Sequence, residues 1–501
     1  MDKAIGKLAL VCLFVLIGSL MIHGLYSINQ DIGRHIKIGQ VIWETKSVPD
    51  TNLFSFTVPN HPFVNHHWLS ELFFYALSSI VSLKWFIIFK AILNLSAFLI
   101  VYTAVRKRSS VSAILLPFFL AAMVFVERTD VRPEIFSYLY LALFLYILIK
   151  AKYEARYQWL YALPFIQVLW TNYHIYFVLG PIMTLFFLID RYAHDRENRQ
   201  ILKTSAIVFG LTCLATLINP SFVTGALEPL NIMRDYGYSI VENQSIFFLT
   251  DYGISKFTIS VFELSIIALA ISFFVALKNG ARKITFEALT AITFAILGIY
   301  MIRNFGPYSL VLATIGSLNF GYVKSEIKER GLTILYTLAT IIILLVTLQV
   351  INGNFYAFTA SGKKFNLEVP TGADNAVNFI KQNNIRGPVF NNFDIGSFMI
   401  WKMWPDEKVF VDGRPEAYGV DFFEKIYKPM QESPETWARL SEEYKINYIL
   451  FAHTDITPWA QTFLNYIITD KKWAMVYIDN NSVIFLKDTI DNKALISKFR
   501  K

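Results

Sequence analysis

The chain has 501 residues, of which 54% are hydrophobic and 16% aromatic, with a formal charge of +8 and a mean hydropathy of +0.43. A soluble globule of average make-up is excluded: apolar runs long enough to cross a bilayer recur along the chain, which reads as a polytopic membrane protein. The basic residues collect in short loops between these runs, where they set topology, and no basic-aromatic module for nucleic acid accompanies them.

In chain order, a short basic N-terminus (1–7) leads into a first span at about 4–27. It lacks a small-x-small cleavage site and reads as a retained span, not a removed signal peptide. A polar stretch (28–65) and an amphipathic segment (66–82) follow. Further spans are predicted at 85–105, 111–126, 135–149, 159–172, 175–190, 204–218, 257–277, 284–302, 307–320 and 332–351, about eleven in all. With the N-terminus in the cytoplasm, the Lys/Arg-rich loops 106–108, 150–156, 191–203, 278–283 and 324–330 all fall inside. The loops 28–84, 127–134 and 219–256 and the C-terminal part then fall outside, at a cytoplasmic (inner) membrane. Cys12 and Cys213 both lie in apolar runs and suggest neither a disulfide framework nor a metal site.

Beyond Ile351 the pattern changes. Strand-like runs ("GPVFNN", "KVFVDG", "NYILFA", "WAMVYID", "SVIFLK") alternate with helix-like stretches at 372–384, 422–430, 434–444 and 458–469. The expected organisation is a membrane domain over 1–351 and a soluble extracytoplasmic α/β domain over 352–501. No internal repeat is visible.

Chemistry-bearing residues concentrate at the outer ends of the spans. The 28–84 loop carries "DIGRHIKIGQ" at 31–40 and holds Asp31, Arg34, His35, His61, His66, His67 and Glu71. Asp31 and His35 are four apart, as are His67 and Glu71, so each pair shares a face if the chain is helical. His66 and His67 are adjacent and point to opposite sides, which favours interfacial packing with Trp68 over a metal pair. "ERTDVRPE" (127–134) is either a solvated loop or a phosphate and sugar site, with Arg128 and Arg132 as cations and Asp130 or Glu134 as orienting groups. "WTNYH" (170–174) places Asn172 and His174 at a short outer turn, and Arg303 stands at another span end, snorkelling to headgroups or binding phosphate. Tyr236 and Tyr238 are candidates for stacking on sugar or for an aromatic belt. In the C-terminal part, "FDIG" and "VDGR" look like strand-to-turn junctions, and Asp412, Arg414 and Tyr418 either bind acceptor or form a buried ion-pair corner. No Walker loop, G-x-G-x-x-G or G-x-S-x-G is present, so no nucleotide cofactor and no hydrolase triad is expected.

A first span followed by D-x-x-x-H, then "PDTNLFSFT" and "HHWLSELFFY", resembles bacterial GT-C-fold glycosyltransferases of the protein mannosyltransferase and aminoarabinose transferase group. Further matching stretches are "VRPEIFSYL", "WTNYHIYFVLG", "RNFGPYSL" and "VFVDGRPEAYG", so the resemblance covers most of the chain. It implies a polytopic helical GT-C fold and transfer of a sugar from a polyprenyl-phosphate-linked donor to an envelope glycan, lipid or protein acceptor. It also implies a catalytic carboxylate on the first outer loop, and Asp31 is the matching position. Arg34, His35, Arg128, Arg132 and Arg303 are the residues expected to hold the donor phosphate. Glu71, Asp130, Asn172 and His174 are expected to orient substrate. Mannosyltransferases of this kind carry two adjacent acids, whereas Asp31 is followed by Ile32, which leaves acceptor chemistry and any divalent metal open. The rival classes are a non-enzymatic transporter or flippase for lipid-linked glycans, and a scaffold. A transporter calls for charge at mid-span, and the polar clusters lie at outer span ends instead.

Overall fold

A computed structural model describes residues 2–25, 31–231, 236–323 and 329–500. The end of the first predicted span and most of the 324–330 loop lie outside these residues. The chain divides into two compact units: one of residues 1–24, 82–229 and 240–368, the other of residues 25–81, 230–239 and 369–501.

The first unit is helical. Among the described residues, seven of its helices are long and apolar enough to cross a membrane: Lys3–Met21, Leu83–Val105, Val111–Arg128, Glu134–Glu154, Ile175–His194, Lys256–Lys278 and Glu329–Ile351. This is a multi-pass membrane protein. The other four predicted spans are also helical but shorter, at Leu163–Tyr173, Arg199–Ala215, Thr285–Tyr300 and Phe305–Phe320. Polar or helix-breaking residues end them early: Asn172 and His174 close the first of these, and the Asn219-Pro220 pair follows the second.

Small residues let the helices approach, since apolar contact alone gives little drive in lipid. Val111–Phe125 packs on Phe305–Phe320, where a Cβ at Gly316 would lie 3.1 Å from Pro117. Basic residues of two predicted loops meet carboxylates, Lys152 across helices and Arg191 within its own stretch of chain. Lys152 Nζ lies 2.8 Å from Asp190 and 2.5 Å from Glu287, and Arg191 pairs with Asp190 and, at 2.6 Å, with Asp195.

The second unit is built on a four-stranded sheet. β1 (Val389–Asn391), β2 (Tyr448–Phe451), β3 (Trp473–Ile478) and β4 (Val483–Lys487) stand in the order β1-β2-β4-β3, with β1 and β2 parallel and the other pairs antiparallel. Side chains alternate between the two faces of each strand. Val389, Tyr448, Leu450, Ile484 and Leu486 enter one core, and Phe390, Ile449, Phe451, Val483 and Phe485 the other. The 25–81 segment supplies both cores, with Ile38, Val41, Ile42 and Phe54 in the first and Phe63 in the second. It is therefore part of this unit's interior.

Two local readings change. "KVFVDG" is extended chain with a single bridge, Val409 to Ser55, because its backbone groups bond to the 54–57 loop and to Asn391. "FDIG" instead opens the helix Phe393–Met403, which starts directly after β1 and Asn392. The stretch predicted as one helix at 422–430 contains a π turn, Phe423–Tyr427, ahead of Pro429, whose missing N–H cannot continue the α ladder.

The helix Ile32–Thr45 lies against the helix Trp68–Ser78 with Gly39 at the closest approach. A Cβ there would collide with the Glu71 backbone carbonyl and stand 2.8 Å from Tyr75 Cβ. Gly39→Ala gains about 1 kcal/mol of helix propensity. It loses about 1–3 kcal/mol to overpacking, because backbone must move. The expected result is a lower melting temperature; an unchanged or higher one would contradict this packing.

Candidate functional site

Asp31 stands at the N-cap of Ile32–Thr45 with φ −70° and ψ −12°, and its side chain makes no capping hydrogen bond to that helix. Its Oδ1 is 3.0 Å from Arg34 Nη2, one turn on, and accepts from Ser397 Oγ at 3.2 Å. Arg34 Nε donates to the same Ser397 hydroxyl at 3.3 Å. Arg34 and Ser397 are buried, whereas the Asp31 side chain is 20% exposed. A partly exposed carboxylate beside a buried guanidinium is suited to accept a proton from a bound hydroxyl or amine.

His35 follows one turn after Asp31. Its Nδ1 is 2.9 Å from Glu71 Oε1, and Asn65 Nδ2 donates to the other Glu71 oxygen at 2.6 Å. Glu71 thus orients the imidazole, as carboxylate–histidine pairs do. Burial first, then the Arg34 charge, holds the His35 pKa below its ordinary 6.5, against the pull of Glu71. A histidine that resists protonation when folded binds fewer protons there than in the unfolded chain. Its stabilising contribution is therefore present above pH 6.5 and lost as pH falls below it. The melting temperature should fall between about pH 7 and pH 5.5, and the slope should be shallower in His35→Gln, which keeps an N–H for Glu71. Equal slopes would contradict the assignment.

Facing this helix in the same unit is the "VDGRPEAYG" stretch. Arg414 Nε and Nη2 hold the two Asp412 oxygens at 2.7 and 2.8 Å, Tyr418 donates to Asp412 at 2.8 Å, and Arg414 Nη2 reaches Asn52 Oδ1 at 3.0 Å. Of the two readings open from sequence, this geometry is the buried ion-pair corner. Burial alone would raise the Asp412 pKa; the Arg414 guanidinium overcomes it and holds it low. Glu416, by contrast, is pushed up by burial. Tyr238 stacks on Phe393 with ring centroids 4.1 Å apart, so its face is covered by protein.

The remaining candidates belong to the helical unit. Arg128 is clasped by Glu134 at 2.8 Å and by Glu242 at 3.1 Å, and Arg132 reaches Glu242 at 2.7 Å. Burial would raise the Glu242 pKa, but the two arginines bring it down to about 2. Asp130 lies 3.9 Å from His23 Nε2, and Lys90 Nζ is 2.9 Å from that same nitrogen. Lys363 joins through Thr129 Oγ1 at 3.1 Å. Burial works against the Asp130 charge, but Lys363, His23 and Lys90 more than offset it and keep its pKa far below the carboxylate range. Arg303 donates to Asn243 at 2.8 Å, and its backbone oxygen accepts from Tyr176. Asn172 donates to the backbone oxygens of Val168 and Ile218, and His174 meets Ser137 Oγ at 2.9 Å.

Geometry therefore joins Asp31 to Arg34, His35 to Glu71, and Arg128 to Arg132 through Glu242. Arg303 adds its charge to Glu242 and bonds the adjacent Asn243, Tyr176 bridges Arg303 to His174, and Asn172 bonds the Val168 and Ile218 backbone. Ser397, Glu242, Lys90 and Lys363 were not singled out from sequence. A lysine inside an apolar run is a visible signal for Lys90; Ser397 carries none. Among the described residues no three His, Cys, Asp or Glu side chains form a metal-ligating group.

No family model matches the chain, and no curated protein matches it in sequence. Solved structures do match. The archaeal oligosaccharyltransferase AglB from Archaeoglobus fulgidus, in complex with an inhibitory peptide and a dolichol-phosphate, aligns with TM-score 0.59 and 12% identity over 96% of this chain and 74% of that one. The apo form of the Archaeoglobus fulgidus enzyme gives 0.58 and 12% over 97% and 74%. Its complex with zinc and sulfate gives 0.56 and 12% over 96% and 73%. The chain is similar to these across nearly its whole length, and the likeness is one of fold: it has the GT-C fold.

Proposed function

We propose that this GT-C-fold membrane protein is a glycosyltransferase that moves a sugar from a polyprenyl-phosphate-linked donor to an envelope glycan, lipid or protein acceptor. The observation that carries the proposal is the Asp31 carboxylate, partly exposed and tied to Arg34 and Ser397 soon after the first membrane helix in sequence. Supporting it is the similarity in fold to an oligosaccharyltransferase whose structure holds a dolichol-phosphate and an inhibitory peptide. Asp31 takes the acceptor proton as the acceptor attacks the anomeric carbon, and the sugar–phosphate bond breaks toward the lipid phosphate. Arg34 and Ser397 hold the Asp31 carboxylate in place, and Glu71 orients His35 beside it. Arg34, His35, Arg128, Arg132 and Arg303 remain the candidates for holding the leaving phosphate. In this reading the N-terminus is cytoplasmic, and the four shorter apolar helices complete a bundle of about eleven spans. The reaction then takes place on the outer face of the cytoplasmic membrane.

The test is mass analysis of lipid extracts and envelope glycans from cells lacking the protein. A missing glycosyl residue together with an accumulated lipid-linked sugar supports the proposal. A lipid-linked sugar trapped on the cytoplasmic side would indicate a flippase instead, and an unchanged profile would sink both.

A further inference from the structure

We propose that Ser397 is a positioning residue for the Asp31 carboxylate, so that the sheet-bearing part of the chain completes the site. This rests on the reading of Asp31 given above. Ser397 lies in the helix Phe393–Met403, far from Asp31 in sequence, and is 1% exposed. Its Oγ accepts from Arg34 Nε at 3.3 Å and stands 3.2 Å from Asp31 Oδ1. A hydroxyl has a single proton. With Arg34 able only to donate and the carboxylate only to accept, that proton points at Asp31. Arg34 Nη2 closes the ring at 3.0 Å. Ser397 thus relays the Arg34 guanidinium to Asp31 and fixes the plane of the carboxylate.

The 412–414 segment forms the adjoining wall. A Cβ on Gly413 would stand 3.0 Å from Asp31 Oδ1 and 3.1 Å from Ser397 Oγ, which is tighter than ordinary contact. Gly413 does not adopt a left-handed φ. Its missing side chain therefore leaves room for this arrangement, and no left-handed backbone demands a glycine there. The charged and titratable groups around the ring are Arg34 and His35 on the helix of Asp31 and, acting through Arg34, Asp412 and Glu416 on the opposing segment.

The experiment is carbodiimide amidation of the full-length protein in lipid nanodiscs, read at Asp31 by peptide mass spectrometry with the exposed Glu435 as internal reference. In Ser397→Ala the Asp31 rate should rise at least about threefold, as expected when a hydrogen bond to a charged group is lost. Ser397→Thr, which keeps the hydroxyl, should stay near the parent rate. Gly413→Ala should also raise the rate by pushing the carboxylate off Ser397, and it provides an independent route if Ser397→Ala melts early. Parent-like rates in both alanine variants would overturn the proposal. No substrate is needed. A raised rate in a chain that transfers no sugar keeps the positioning role and sinks the transferase reading; an unchanged rate in a chain that does transfer sugar has the opposite outcome.

Discussion

Asp31→Asn is expected to abolish glycosyl transfer, with a loss of at least about 100-fold, the lower range for removing a general base. The protein should nevertheless accumulate and fold. Asparagine keeps the shape of the side chain and an oxygen that can accept from Ser397 and Arg34. Arg34 keeps Ser397 as an acceptor and remains in the field of Asp412 and Glu416. Because Asp31 is partly exposed, its ion pair adds little stability, about 1 kcal/mol or less. The check is complementation of a deletion strain, with envelope glycans read by mass spectrometry and fold read by gel filtration and melting temperature. Normal glycans in that strain would remove Asp31 from the chemistry.

Arg414→Met should have the largest effect on stability. Arg414 is buried, bonded twice to Asp412 and once to Asn52, and its guanidinium lies 5.4 Å from the Phe54 ring centroid and 4.9 Å from that of Phe63. Without it, Asp412 at 0% exposure keeps Tyr418 as its hydrogen-bond donor but loses the guanidinium bonded to both its oxygens, leaving only the more distant Arg34 charge. Stranding a buried charge in this way costs about 3–5 kcal/mol. The double variant Asp412→Asn/Arg414→Met strands no charge and should recover much of that loss. Melting temperature and protease resistance of residues 369–501 are the readouts. A double variant as unstable as the single one would contradict the ion-pair account.

The membrane helices were legible because hydropathy and loop charge are properties of contiguous sequence. The span count was less so: Leu163–Tyr173 and Phe305–Phe320 are bounded by polar residues that a hydropathy window averages over. The strands β1 to β4 were legible from alternation, but "KVFVDG" has the same alternation and pairs mainly with a loop, a tertiary choice that local pattern does not encode. Asp31, His35 and Glu71 were visible as polar residues at helical spacing. The partner that holds Asp31 was not: Ser397 is an ordinary serine in an apolar stretch, and it gains its role only when the chain returns 366 positions later. Asp412 and Arg414 were visible as a pair, with both of their roles left open until the fold enclosed them.

The central claim is transfer of a sugar from a polyprenyl-phosphate donor with Asp31 as the base. It is tested most directly with the purified full-length protein in nanodiscs, supplied with the lipid extract of the deletion strain. Sugar leaving the lipid is followed by mass spectrometry. The parent chain should discharge the accumulated lipid-linked sugar while Asp31→Asn leaves it intact. No discharge by the parent, or equal discharge by both, would contradict the account.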